Sequence, residues 1–174
     1  MLTLYLLRHA KSSWDQPTIS DIERPLAARG REAAPRMGRH MREENQLPDL
    51  VLCSPATRAR QTLELALSAL GHEPEVRTID GLYNFGDGSG LLQIIHREGG
   101  DSRGLMLVGH NPSLEYLALS LAGQGPSADL TEMAKKYPTA ALAVIEFDVE
   151  RWADIRAGAG RLVSFTKPKA LRAA

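Results

Sequence analysis

Six short apolar runs punctuate this chain at near-regular intervals: Thr3–Leu7, Leu50–Cys53, Val76–Ile79, Leu105–Val108, Leu142–Phe147 and Leu162–Phe165. Segments with helical repeats separate most of them. That alternation constrains the fold more than any other feature. A strand followed by a helix and another strand builds a parallel pair, with the crossover helix covering one face of the sheet. The expectation is an α/β protein, a three-layer α/β/α sandwich with a mostly parallel central sheet. With 174 residues it fits one domain spanning residues 1–174.

The helical segments are readable to different degrees. After Pro55, Leu63, Leu67 and Leu70 recur at helical spacing, and Gly71 follows as a stop. After Pro112, Leu114, Leu117 and Leu121 do the same, with Gly123 as the expected end. A helix over Arg31–Asn45 places Pro35 in its first turn, where a missing N–H costs nothing, and turns Met37 and Met41 inward. Leu91–His96 reads as a short buried helix. Lys11–Arg29, Asp80–Ser89 and Gly125–Pro138 read as irregular, and loops of that length are more often functional than idle.

Three strand runs end alike, in "LLRHAKS", "VLCSPATRARQT" and "MLVGHNPS". Each passes abruptly from apolar to polar residues. In parallel α/β sheets, ligands bind beyond the carboxyl ends of the strands, where helix N-termini also offer free N–H groups. Arg8, His9, Ser54, Arg58, His110 and Asn111 are therefore expected to share one crevice. Two arginines and two histidines there describe an oxyanion site, most naturally for phosphate, because the guanidinium fork matches phosphate oxygens. A histidine among arginines has its charged form disfavoured. The neutral imidazole can attack phosphorus and carry it as a phosphohistidine. The scheme calls for neither a metal nor an organic cofactor. Lys11, Ser12 and Ser13 follow the first motif and would line the entrance, and Trp14 would pack over the crevice or anchor the loop. His40, His72 and His96 lack a strand-end setting and read as surface or partly packed.

Composition narrows the partners. Twenty-one basic and twenty-one acidic residues leave no net charge, so nothing draws the whole molecule to nucleic acid or an anionic membrane. The first apolar run is too short, and lacks the basic flank, for a secretory leader, and the expected location is the cytoplasm. The lone Cys53 excludes an internal disulfide. It also fails the cysteine-phosphatase spacing, since the position that should be Arg is Ala59 and Arg58 falls one short. It reads as a small buried strand residue. "GDGSG" lacks the Gly-Lys-Ser/Thr ending of a phosphate-binding P-loop.

"LRHAKS", "SPATRARQT" and "VGHNP" together resemble the signature of the histidine phosphatase superfamily, whose fold is called phosphoglycerate mutase-like. The short chain and the phrase "ERPLAARGREAAPRMG" resemble its SixA-type phosphohistidine phosphatase branch. The resemblance implies that His9 accepts the phosphoryl group and that Arg8, Arg58 and His110 complete the pocket. It also places Arg24, in the "ERPL" phrase, near the site. The chain departs from the family in two places. Ala10 stands where Gly is usual. The loop "IDGLYNFGDGSG", where larger members carry a Glu or Asp proton donor, has only Asp80 and Asp87 as candidates, with Glu23 and Glu115 elsewhere. An alkoxide leaving group needs such an acid, whereas an imidazole leaving from phosphohistidine departs neutral when its other nitrogen is protonated. The expected substrate is therefore protein phosphohistidine, on a phosphorylated signalling protein. A small-molecule phosphomonoesterase or mutase is the alternative enzyme, and a catalytically silent phosphate- or phosphoprotein-binding module is the alternative of another class.

Overall fold

The computed structural model describes residues 1–172. Seven strands form one sheet: β1 (Leu2–Arg8), β2 (Leu50–Cys53), β3 (Glu75–Thr78), β4 (Gly104–Gly109), β5 (Ala122–Gln124), β6 (Leu142–Phe147) and β7 (Gly160–Thr166). Their order is β3-β2-β4-β1-β6-β7-β5. β3, β2, β4 and β1 run parallel, β6 turns antiparallel against β1, β7 is antiparallel to β6, and β5 is parallel to β7. Five helices cover the sheet: α1 (Ala28–Glu43), α2 (Thr57–Leu70), α3 (Ser89–Glu98), α4 (Ser113–Leu121) and α5 (Ser127–Lys135).

Alternation along the central strands makes two cores. Leu4, Leu6, Leu52, Leu105 and Leu107 face one side, against Leu91 and Ile95 of α3, Leu114 and Leu117 of α4 and Met133 of α5. Tyr5, Leu7, Val51, Cys53, Met106 and Val108 face the other, against Met37 and Met41 of α1 and Leu63 and Leu70 of α2. Strands buried on both faces must be apolar throughout, which is why these runs stand out in the sequence. Cys53 is buried as expected, and burial pushes its thiol up to about 12, so it is an inert packing group. Gly71 closes α2 in the left-handed region at φ 72°, its N–H bonded to the Leu67 carbonyl. Among the described residues, no helix is long and apolar enough to cross a membrane.

Several element boundaries differ from the sequence expectation. α1 begins at Ala28, so Pro35 lies in its interior rather than its first turn. The cap residue Ala27 has no side-chain hydrogen bond, and with no Ser, Thr, Asp or Asn there the start is silent in the sequence. Gly123 does not end α4 but lies in β5, which follows directly. The Gly125–Pro138 stretch is not irregular, since α5 occupies most of it; that helix fully buries only Met133 and so shows little periodicity. β3 sits one residue earlier than expected and is exposed along its whole length.

Candidate active site

Strand register assembles the site. Leu7, Val108 and Cys53 lie in one row across β1, β4 and β2, and Arg8 pairs with Gly109 one step on. The next residues are His9, His110 and Ser54, delivered together where three parallel strands end. The His9 N–H donates to the Gly109 carbonyl (3.1 Å) and the Ser54 N–H to the Val108 carbonyl (3.0 Å), which carries the register into the site. The His9 and His110 rings lie 5.2 Å apart. Both are buried, at 7% and 1% exposure.

Hydrogen bonding sets the tautomer of His9. Its Nδ1 is 2.7 Å from the Ala10 carbonyl, an acceptor only, so Nδ1 carries the proton and Nε2 keeps its lone pair. Burial first, then the neighbouring His110 imidazole and the Arg58 and Arg8 cations, outweigh the Ala10 carbonyl and pull its pKa down to about 3. The direction is the one expected from the sequence, but desolvation rather than the arginines leads it. Ala10 is not among the residues with positive φ, so Ala serves where Gly is usual. Its N–H donates to Thr62 Oγ1 (2.9 Å), and the Thr62 hydroxyl donates to the Arg58 carbonyl (2.7 Å). Thr62 thus ties the backbone that follows His9 to the first turn of α2.

His110 is held from behind. Ser54 Oγ accepts from the Ala56 N–H (3.2 Å) and lies 2.8 Å from His110 Nε2. Among the described residues the Ser54 hydroxyl hydrogen has no acceptor other than Nε2, so the hydroxyl donates to Nε2, which leaves the His110 proton on Nδ1. Burial, then Arg58 and the other arginines, against the opposing pull of Asp21, lower the His110 pKa to about 4. Among the described residues, three of the five buried side-chain atoms without a protein partner are nitrogens of this site: Arg8 Nε, Arg58 Nε and His110 Nδ1. Buried donors are costly to leave unpaired, and these suit an oxyanion.

The cleft, about 250 Å³, is lined by Arg8, His9, Lys11, Ser12, Trp14, Asp21, Arg24, Arg58, Phe85, His110, Asn111 and Thr139. Of the expected site residues, Arg8, His9, Lys11, Arg58, His110 and Asn111 are brought together. Arg8 Nη1 and Asn111 Nδ2 share the Tyr137 carbonyl, at 2.9 and 3.1 Å. Ser54, expected to touch substrate, sits behind the cleft and positions His110 instead. Neither candidate proton donor lines the cleft. Asp87 accepts from the Ser89 N–H (3.0 Å) and hydroxyl (2.7 Å) at the start of α3, and Asp80 is exposed at a 3-10 turn. Glu23 and Glu115 are also outside the lining.

The carboxylate that does line the cleft is Asp21. Its Oδ2 accepts from Arg58 Nη2 (3.0 Å) and the Tyr83 hydroxyl (2.5 Å), and its Oδ1 from Arg24 Nε (3.1 Å). Arg58 Nη1 also donates to the Asp21 main-chain carbonyl (2.7 Å). Partial burial works the other way, but the bonds from Tyr83, Arg24 and Arg58 hold the carboxyl down at about 2. Asp21 is ionised and a poor acid. Arg24 lies near the site as expected, with Nη1 on Ser12 Oγ (2.7 Å) and its guanidinium 3.6 Å from the Trp14 ring centre. The loop that carries Asp21 and Arg24 is clamped to α1 at Gly30, where a Cβ would stand 2.2 Å from the Lys11 carbonyl.

Sequence reasoning missed Asp21, Thr62, Phe85, Tyr137 and Thr139. Asp21 had one local signal, an acid three residues before Arg24. Phe85, 5.1 Å from the His110 ring, and Tyr83, edge-on to it at 5.4 Å, form an aromatic wall that no local pattern announces.

An uncharacterized protein of Mycobacterium tuberculosis is 38% identical over 165 residues, covering 94% of this chain and all of its own length. Among solved structures, a candidate phosphohistidine phosphatase SixA of Agrobacterium tumefaciens superposes with a TM-score of 0.80 at 30% identity, covering 95% of this chain and 98% of its own. The protein histidine phosphatase SixA complexed with tungstate superposes with a TM-score of 0.74 at 25% identity, covering 97% and 99%. The sequence profile of the histidine phosphatase superfamily (branch 1) matches residues 4–98, more than half of the chain, and the protein belongs to that family.

Proposed function

We propose that the protein is a phosphohistidine phosphatase that works through a phosphoryl adduct on Nε2 of His9. The lone pair of Nε2 attacks phosphorus while Arg8, Arg58 and the Nδ1–H of His110 hold the nonbridging oxygens. The substrate P–N bond breaks, its electron pair stays on the departing nitrogen, and an imidazole protonated on its other nitrogen leaves neutral. Water then releases phosphate and returns His9 to the same tautomer. One P–N bond is exchanged for another, so no acid is needed at the first step.

The observation that carries this reading is the state of Asp21. Among the described residues it is the single carboxylate lining the cleft, and it is ionised by its partners, so it has no proton to give an alkoxide. A small-molecule phosphomonoesterase is the second reading, favoured by the aromatic edges of Trp14 and Phe85 at the mouth. The test has two arms. An acid-sensitive, base-stable label should be trapped on wild type after a pulse of labelled phospho-substrate, and His9→Ala should trap none and lose turnover while keeping its fold. Aryl phosphates with good leaving groups should be cleaved far faster than alkyl phosphates. Equal rates on both would favour the phosphomonoesterase.

A further inference from the structure

The catalytic cleft opens sideways. Lys11 and Thr139 line it and also line a neighbouring groove with Arg29, Arg36 and Lys169. Through Arg29 and Thr139 that groove runs on into a depression walled by Lys135, Lys136 and Lys167. The chain is neutral as a whole, so this concentration of cations is an arrangement and not a matter of composition. Lys11, Arg29, Arg36, Lys136 and Lys169 have no ion-pair partner among the described residues. The acids in these walls are Glu32 and Glu132, and Glu132 is engaged by Lys135 (3.4 Å) and Lys167 (2.6 Å). The amino end of the parallel strands is built differently. There Arg103 is paired with Glu150, and Asp49, Asp101 and Asp148 are exposed. Five unpaired cations thus line grooves that lead into the cleft where His9 and His110 emerge.

We propose that this groove docks an acidic protein segment, which lies along it while its phosphorylated side chain enters the cleft. The proposal rests on the reading of the cleft as a phosphohistidine phosphatase. A phosphoryl group seated against Arg8 and Arg58 leaves the body of its substrate over one rim or the other. One rim is the aromatic pair Trp14 and Phe85, and the other runs without a break into the basic groove. Exposed lysines act as flexible point charges, suited to scattered carboxylates, and a gathered field of one sign speeds the encounter with an oppositely charged partner. Nucleic acid fits less well. Among the described residues the groove has no aromatic side chain to stack a base, and Glu32 and Glu132 stand where a phosphate backbone would run.

The test uses two peptides with one central histidine phosphorylated by phosphoramidate, flanked by glutamates in one and by serines in the other. Wild type should bind the glutamate peptide more tightly by fluorescence anisotropy, with an affinity that falls as salt rises. The charge reversal Lys136→Glu/Lys169→Glu should remove about tenfold of that preference and leave p-nitrophenyl phosphate turnover unchanged, with the milder Lys136→Gln/Lys169→Gln falling between. An equal preference in wild type and reversal variant overturns the docking surface, as does tighter binding of a single-stranded oligonucleotide than of the glutamate peptide. If neither phosphopeptide is hydrolysed but the glutamate preference in binding persists and is lost on reversal, the substrate reading falls and the docking surface stands.

Discussion

Taking the protein from about pH 7.5 to about pH 5 should remove about 4 kcal/mol of folding stability, nearly all of it through His9 and His110. Both histidines are buried neutral, with pKa values lowered from 6.5 to about 3 and about 4. Below 6.5 the unfolded chain takes up protons that the folded chain refuses, so acid favours unfolding. Each pH unit costs about 1.4 kcal/mol per group, so each histidine loses about 2 kcal/mol at pH 5. Asp21 does not interfere, because its lowered carboxyl loses its contribution only as pH falls from 3.8 towards about 2. Urea melts at the two pH values, read by the fluorescence of buried Trp152, give the difference directly. His9→Gln should cancel about half of the acid loss and His9→Gln/His110→Gln nearly all of it, whatever either does to stability at neutral pH. An unchanged acid loss in the double variant would refute the placement of two neutral imidazoles in the site. The kinetic counterpart is that kcat/KM should show no acid limb near 6.5, since Nε2 of His9 keeps its lone pair well below that pH.

Arg58→Lys should cost about 2–4 kcal/mol of transition-state stabilisation, as loss of an oxyanion donor does, because a point charge lacks the fork; near-wild-type kcat/KM would show that Arg58 is not a bidentate ligand. Asp21→Asn should tighten inorganic phosphate binding by up to about fivefold, the scale of an exposed ion pair removed from Arg58, and weaker binding in calorimetry would make Asp21 a positioner of Arg58 rather than its competitor. Asp80→Asn and Asp87→Asn should leave phosphohistidine hydrolysis within about twofold of wild type, and a rate that collapses selectively for alkyl phosphates in Asp87→Asn would make Asp87 the acid after all.

The parts of the fold and site that were legible share a physical cause. β1, β2 and β4 are buried on both faces and so read as unbroken apolar runs, and their abrupt polar ends gave away Arg8, His9, His110 and Asn111. β5 was invisible because it is three residues long, partly exposed and centred on Gly123. α1 hid its start because Ala27 offers no capping oxygen. At the site, Asp21 acts on Arg58 across 37 residues and the Tyr137 carbonyl anchors Arg8 across 129, partnerships that only the folded loops create. Ser54 shows the converse: its presence at a strand end was legible, but its turn towards His110 depends on the register of β2 against β4.

The acceptor that aims His9 is a main-chain carbonyl, and this has a genetic consequence. Where a histidine is oriented by a carboxylate side chain, one codon change can delete the orienting group. Here every residue at position 10 supplies the same carbonyl, so drift at that codon leaves the proton on Nδ1 and the lone pair on Nε2. Selection at position 10 acts on size instead, since the side chain is wholly buried beside Leu26 and Ala34. The phosphoryl adduct we propose on His9 is likewise confined to one regioisomer, the Nε2 form, whichever nitrogen a phosphohistidine substrate carried.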